Sequence, residues 1–173
     1  ADAYVDLADV ALEEGNYAQA TRNLEVAEAL YVQLRQPVGI ATVKCRQALI
    51  AYDAEDDLAA RRLCEEALSC VPGTDGAIVR SRTLRLLTDL ALRWRQFDQA
   101  AEFCRQAQAA NQNVNDPTEA AAILYAQAKL DLYLGNYSIA LQNVRRSAES
   151  YAAMGDRKAV AIIYDTISRI YMA

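Results

Sequence analysis

One short phrase returns along this chain at a constant step of about 40 residues, the range in which helical repeats recur. Gly15-Asn16-Tyr17-Ala18-Gln19-Ala20 comes back as Arg95-Gln96-Phe97-Asp98-Gln99-Ala100 and as Gly135-Asn136-Tyr137-Ser138-Ile139-Ala140. Glu55-Asp56-Asp57-Leu58-Ala59-Ala60 fills the slot between the first two. A fixed period of this length predicts a solenoid, because each unit can bury its apolar face only against its neighbours. Units begin at Ala1, Ala41, Ser81 and Ala121, and a fifth start at Ala161 runs only to Ala173. One repeat domain, 1–173, therefore holds repeats 1–40, 41–80, 81–120 and 121–160 plus a partial repeat, 161–173.

The recurring positions predict two antiparallel helices per unit. Numbered within the unit, position 8 is small (Ala8, Ala48, Thr88, Ala128, Ser168) and position 20 is always alanine. Position 10 is always aliphatic (Val10, Ile50, Leu90, Leu130, Ile170). Positions 3, 7, 10 and 14 form an apolar stripe at helical spacing, with polar exceptions such as Gln47 and Gln127. Positions 15 and 16 mark the turn. An aromatic at position 17 (Tyr17, Phe97, Tyr137) is expected to wedge the pair, with Leu58 taking the apolar role beside Asp57. The second helix is expected from about position 18 to position 31 or 33. The connectors are Arg35-Gln36-Pro37, Val71-Pro72-Gly73-Thr74, Asn115-Asp116-Pro117 and Gly155-Asp156-Arg157, which places all three prolines outside helices. The expectation is an all-α α-solenoid of nine helices: four helix-turn-helix repeats and a C-terminal capping helix, Ala161–Met172.

Composition narrows function mainly by exclusion. The chain is 53% hydrophobic with a mean hydropathy of -0.08, so apolar and charged residues interleave. No run approaches the length of a membrane span, and Ala1-Asp2-Ala3-Tyr4 lacks the basic and apolar regions of a signal peptide. This start reads as a piece cut from a longer protein. A net charge of -5 argues against direct nucleic-acid binding, which needs a basic surface to displace counterions. Cys45, Cys64, Cys70 and Cys104 form no CxxC pair, and histidine is absent. They read as small buried hydrophobes in a reducing compartment. The acidic group Asp53, Glu55, Asp56 and Asp57 reads as a solvated turn rather than a metal site. No phosphate loop, nucleophile elbow or Ser/His/Asp set exists, so no catalytic residue, cofactor or metal is assigned and an enzyme is not expected.

Alanine at position 20, a bulky residue at 24 (Leu24, Cys64, Cys104, Val144) and a small one at 27 (Ala27, Ala67, Ala107, Ser147) resemble the tetratricopeptide repeat. Repeat 1 carries the fuller pattern as Tyr4, Leu7, Ala8, Gly15, Tyr17, Ala20, Leu24 and Ala27. The usual unit has about 34 residues, and the extra length here is expected in the second helix and connector. This long variant looks like the repeats of kinesin light chains, cell-polarity adaptors, and sensor arms of bacterial signalling NTPases and transcription activators. HEAT and armadillo repeats share the period but lack this second-helix spacing. Repeat 2 departs most, with Lys44, Gln47 and Asp57 in normally apolar slots.

The resemblance implies a right-handed superhelix whose first helices line a concave groove, mainly through positions 2, 5, 9, 12 and 13. Repeat 1 then offers Asp2, Val5, Asp9, Leu12 and Glu13; repeat 2 offers Thr42, Cys45, Leu49, Tyr52 and Asp53. Repeat 3 offers Arg82, Arg85, Asp89, Leu92 and Arg93; repeat 4 offers Ala122, Tyr125, Lys129, Leu132 and Tyr133. The last helix adds Ile162, Asp165, Arg169 and Met172. Arginine and tyrosine are the types that anchor interfaces. The expected partner site is thus Tyr52, Arg82, Arg85, Asp89, Arg93, Tyr125, Lys129, Tyr133 and Arg169, receiving a protein or peptide segment that is acidic or carries a carboxylate. No repeat has asparagine at position 9, so the carboxylate clamp of cochaperones is not claimed. Charge per repeat runs from 2 basic and 7 acidic residues in repeat 1 to 5 and 3 in repeat 4, a gradient that would favour head-to-tail homo-oligomers through complementary ends. The reading is a non-catalytic scaffold, the sensor or assembly arm of a larger cytoplasmic signalling or transcription-regulatory protein. A self-associating structural module and a small-molecule effector pocket are the alternatives.

Overall fold

The computed structural model describes the backbone of residues 1–172 and the side chains of residues 1–168. Among the described residues there are nine α-helices and no strand. They are α1 (Asp2–Glu13), α2 (Tyr17–Gln33), α3 (Pro37–Asp53), α4 (Asp57–Cys70), α5 (Ala77–Arg93), α6 (Phe97–Gln112), α7 (Pro117–Tyr133), α8 (Tyr137–Ala153) and α9 (Arg157–Met172). The helices pack in adjacent pairs, the arrangement of an α-solenoid of helix-turn-helix repeats.

The period is finer than expected. From α2 onward, helices begin at an even spacing of half a repeat: Tyr17, Pro37, Asp57, Ala77, Phe97, Pro117, Tyr137 and Arg157. The first helices of repeats 2 to 4 therefore start four residues before Ala41, Ser81 and Ala121, and α9 starts at Arg157 rather than Ala161. At α3 and α7 proline accounts for the early start; α5 and α9 show the same shift without one. Pro37 and Pro117 stand in the first turn of α3 and α7, where a missing N–H costs nothing and the fixed φ is already helical. Only Pro72 lies in a connector. The additional residues lengthen both helices of a pair, not the second helix and connector alone: α3, α5 and α7 reach 17 residues, as do α2 and α8.

The turns within and between repeats share one device, except the connector from α4 to α5, where Val71 ends the helix with negative φ. A residue with positive φ closes the helix at Gly15, Arg35, Glu55, Arg95, Asn115, Gly135 and Gly155. At most of these the next N–H reaches back to the last turn, as Asn16 N–H does to the Ala11 carbonyl and Asn136 N–H to that of Asp131. The residue that follows caps the next helix where it can. Asn16, Asp56, Asp116 and Asp156 accept from the N–H three residues on, at 3.1, 3.0, 2.7 and 2.9 Å.

Packing follows the repeat. Ala20, Ala60, Ala100 and Ala140 have no exposed surface, and neither do Leu24, Cys64 and Val144 at position 24. Truncating a large side chain in such a close-packed core costs about 2–5 kcal/mol. Ser147, small at position 27, donates to the Ala121 carbonyl at 2.7 Å and so fixes α8 against α7. Position 3 packs on the preceding second helix: Val43 joins Leu24 and Ala27, and Ile163 joins Val144 and Ala148. On α1, the first helix, that stripe has no such cover, and Leu7 and Val10 are exposed, contrary to expectation. Leu58 is exposed too, so it does not take the apolar role beside Asp57. Of the position-17 aromatics, Phe97 packs against Ala91 and Leu92 of its own pair, while Tyr17 and Tyr137 are exposed. Tyr17 and Phe97 also reach forward to position 13 of the next repeat: Tyr17 donates to Asp53 at 3.3 Å, and Phe97 stacks on Tyr133 with centroids 5.9 Å apart.

Two compact units are present, Ala1–Thr83 and Leu84–Ala173. In the first, α1 packs on α2, α2 on α3 and α3 on α4; in the second, α6 packs on α7, α7 on α8 and α8 on α9. No helix among the described residues is long and apolar enough to cross a membrane.

Candidate functional site

The second unit gathers four of the expected partner residues. Arg85 and Asp89 lie one turn apart on α5, and Tyr125 and Lys129 one turn apart on α7. Lys129 is ion-paired with Asp89 and sits over the Tyr125 ring, its Nζ 5.0 Å from the centroid. The Tyr125 hydroxyl shares a 2.7 Å hydrogen bond with Thr166 of α9. Arg85 Nε donates to Glu119 Oε1 at 3.2 Å. The Glu119 side chain is only 3% exposed and that of Arg85 31%.

This pairing changes the electrostatics of the face. Burial works against the Arg85 charge, but Glu119 and Asp89 outweigh it and hold its pKa above the ordinary value. Arg85 and Lys129 already have carboxylate partners, so the face is mixed rather than uniformly basic. Neither cation is bare: each is held by a carboxylate of the same unit.

Sequence reasoning missed Glu119 because it began the fourth repeat at Ala121, after that residue. The signal was Asp116-Pro117 with an acid two residues after the proline, the mark of a helix start. With α7 begun at Pro117, Glu119 falls in its first turn, within reach of Arg85.

The other expected residues are placed differently. Tyr133 is committed to the Phe97 stack, and Arg93 is exposed at the end of α5. Tyr52 and Arg82 are half-buried and belong to the first unit. The Arg169 and Met172 side chains lie outside the described residues. Val5, Cys45 and Leu92, expected to line the groove, are core residues instead. The first unit carries its own tie between neighbouring first helices, a two-bond ion pair from Arg46 to Asp9 at 2.9 and 2.8 Å.

Of the cysteines, Cys45, Cys64 and Cys104 are buried and Cys70 is half-buried. Burial pushes the Cys64 and Cys104 thiols well up, Cys104 to about 12, so neither is a thiolate at neutral pH. Among the described residues no group of His, Cys, Asp and Glu is placed to hold a metal ion.

Fold and face together define a helical repeat protein whose second unit presents paired charges and a tyrosine on neighbouring first helices. No protein-family model matches the chain, and no curated protein matches it either.

Proposed function

We propose that this protein is a non-catalytic scaffold of tetratricopeptide type that binds an acidic protein or peptide segment on the α5–α7 face. One observation carries the reading: repeat positions 20, 24 and 27 are buried while the unrepeated Arg85, Asp89, Tyr125 and Lys129, all partly exposed, lie together in one unit. Tyr125 supplies rigid amphipathic area, and Arg85 and Lys129 supply exchangeable cations. Binding by exchange is expected to be moderate and to weaken with salt, since each new ion pair replaces an old one. The resemblance alone supports the wider context, a sensor or assembly arm of a signalling or transcription-regulatory protein in the cytoplasm.

Titration calorimetry with acidic peptides, at low and high salt, tests this. The Arg85→Glu, Lys129→Glu double variant is expected to lose at least about tenfold in affinity, roughly 1.4 kcal/mol. Unchanged affinity in that variant, with its melting transition preserved, rejects the face as the binding surface.

A further inference from the structure

A second feature of the same unit lies between α6, α7 and α8: a cavity of about 340 Å³. Gln108 and Asn111 of α6, Gln127 of α7 and Arg146 of α8 line it, with Ile123 and Leu124 giving it apolar wall. The volume is at the small end of the range for ligand sites. Arg146 is exposed and has no ion-pair partner among the described residues. Gln127 and Gln108 make only a long 3.4 Å contact. Asn111, 6% exposed, spends its Nδ2 on the Asp116 carbonyl at 3.1 Å, and its Oδ1 has no hydrogen-bond partner. Buried acceptors are rarely left this way.

The repeat supplies its own control. In the first unit, two repeats earlier, the same slots hold Glu28, Tyr31, Lys44, Gln47 and Glu66. There the rim is closed. Lys44 bridges Glu28 at 2.8 Å and Glu66 at 3.4 Å, and Gln47 donates to Glu28 at 3.1 Å. In the second unit Leu124 replaces the bridging lysine, Gln108 and Arg146 replace its two carboxylate partners, and Asn111 replaces the bulkier tyrosine. Each change removes a tie or volume, and together they leave an unpaired cation beside a set of carboxamides.

We propose that this cavity binds a short extended peptide segment carrying a carboxylate. Arg146 takes the carboxylate, for which the planar guanidinium is shaped. The carboxamides each offer a donor and an acceptor, matching the N–H and C=O of a peptide backbone. Ile123 and Leu124 receive one apolar side chain. This site is separate from the α5–α7 face and does not depend on it.

The probe is a pool of acetylated, amidated tetrapeptides, each with one leucine and one aspartate, against a matched pool with asparagine. Side-chain amide resonances of Gln108, Asn111 and Gln127 are followed by NMR. The aspartate pool is expected to shift them and the asparagine pool to bind at least about tenfold more weakly. Arg146→Glu, at an exposed site, is expected to abolish the shifts. Gln108→Glu, Leu124→Lys and Arg146→Glu together transplant the first unit's closed rim and are expected to do the same. Equal binding of both pools, unchanged binding by Arg146→Glu, or amide resonances that neither pool moves overturns the proposal. Shifts confined to Tyr125 and Lys129 overturn it too, while leaving the face on α5 and α7 standing. Loss of cavity binding only in Arg85→Glu, Lys129→Glu would likewise contradict it.

Discussion

At the scale of single residues, close approach governs what each position accepts. Gly39 stands in the first turn of α3, where a Cβ would lie 2.2 Å from the Tyr31 ring. Helix propensity alone would favour Gly39→Ala by about 1 kcal/mol. Overpacking against a buried ring costs about 1–3 kcal/mol, and moving the ring also breaks the 2.5 Å hydrogen bond from Tyr31 to Asp2. The clash wins, so Gly39→Ala is expected to lower the urea midpoint; a rise would contradict this packing. Tyr31 also supplies a pH dependence. Burial, then the hydrogen bond to Asp2, raise its pKa from 10.0 to about 12. The proton is held more tightly in the folded state, so the stabilisation is complete below pH 10 and is lost between pH 10 and about 12. Tyr31→Phe should remove that part of the alkaline loss when stability is followed by circular dichroism across this range. An identical slope in both proteins would show that Tyr31 contributes none of it.

At the scale of elements, the helices were legible but their phase was not. Alanine at position 20, the bulky residue at 24 and the small one at 27 announced the second helices, because a buried helix face repeats its sizes. The first helices after α1 begin four residues before the repeat boundary; at Pro37 and Pro117 proline starts the helix from its first turn, and α5 and α9 keep the same step without it. The shared turn was half visible. Glycine marks Gly15, Gly135 and Gly155, yet Arg35, Glu55, Arg95 and Asn115 adopt the same positive φ without advertising it. This backbone costs a side chain about 1–2 kcal/mol. Glu55→Gly is therefore expected to stabilise by up to about 1 kcal/mol once glycine's greater unfolded-state freedom is subtracted. Gly135→Ala should cost a similar amount through φ alone, since nothing stands within 4 Å of the added Cβ. Thermal melts of the two variants should move in opposite directions; movement in the same direction would refute the shared turn.

At the scale of the whole molecule, repetition and its exceptions divide the work. The first unit, through Thr83, carries 8 basic and 14 acidic residues; the second carries 10 and 9. The acidic start and the mixed far half were both readable from charge per repeat. The pairing was not, because ion pairs such as Arg85 with Glu119 and Lys129 with Asp89 join residues far apart in sequence and need the packed helices to be seen. The cavity beside Arg146 was hidden for the same reason: its carboxamides and its arginine come from three helices. The central claim is that repeated residues build the protein and unrepeated ones bind its partner. A saturation scan of all 173 positions, read once for folded abundance and once for capture of acidic peptides, tests it most directly. Abundance should fall at positions 8, 20, 24 and 27 of each repeat, and capture alone should fall at Arg85, Tyr125 and Lys129. Capture losses confined to the repeated positions, always with lost abundance, would contradict it.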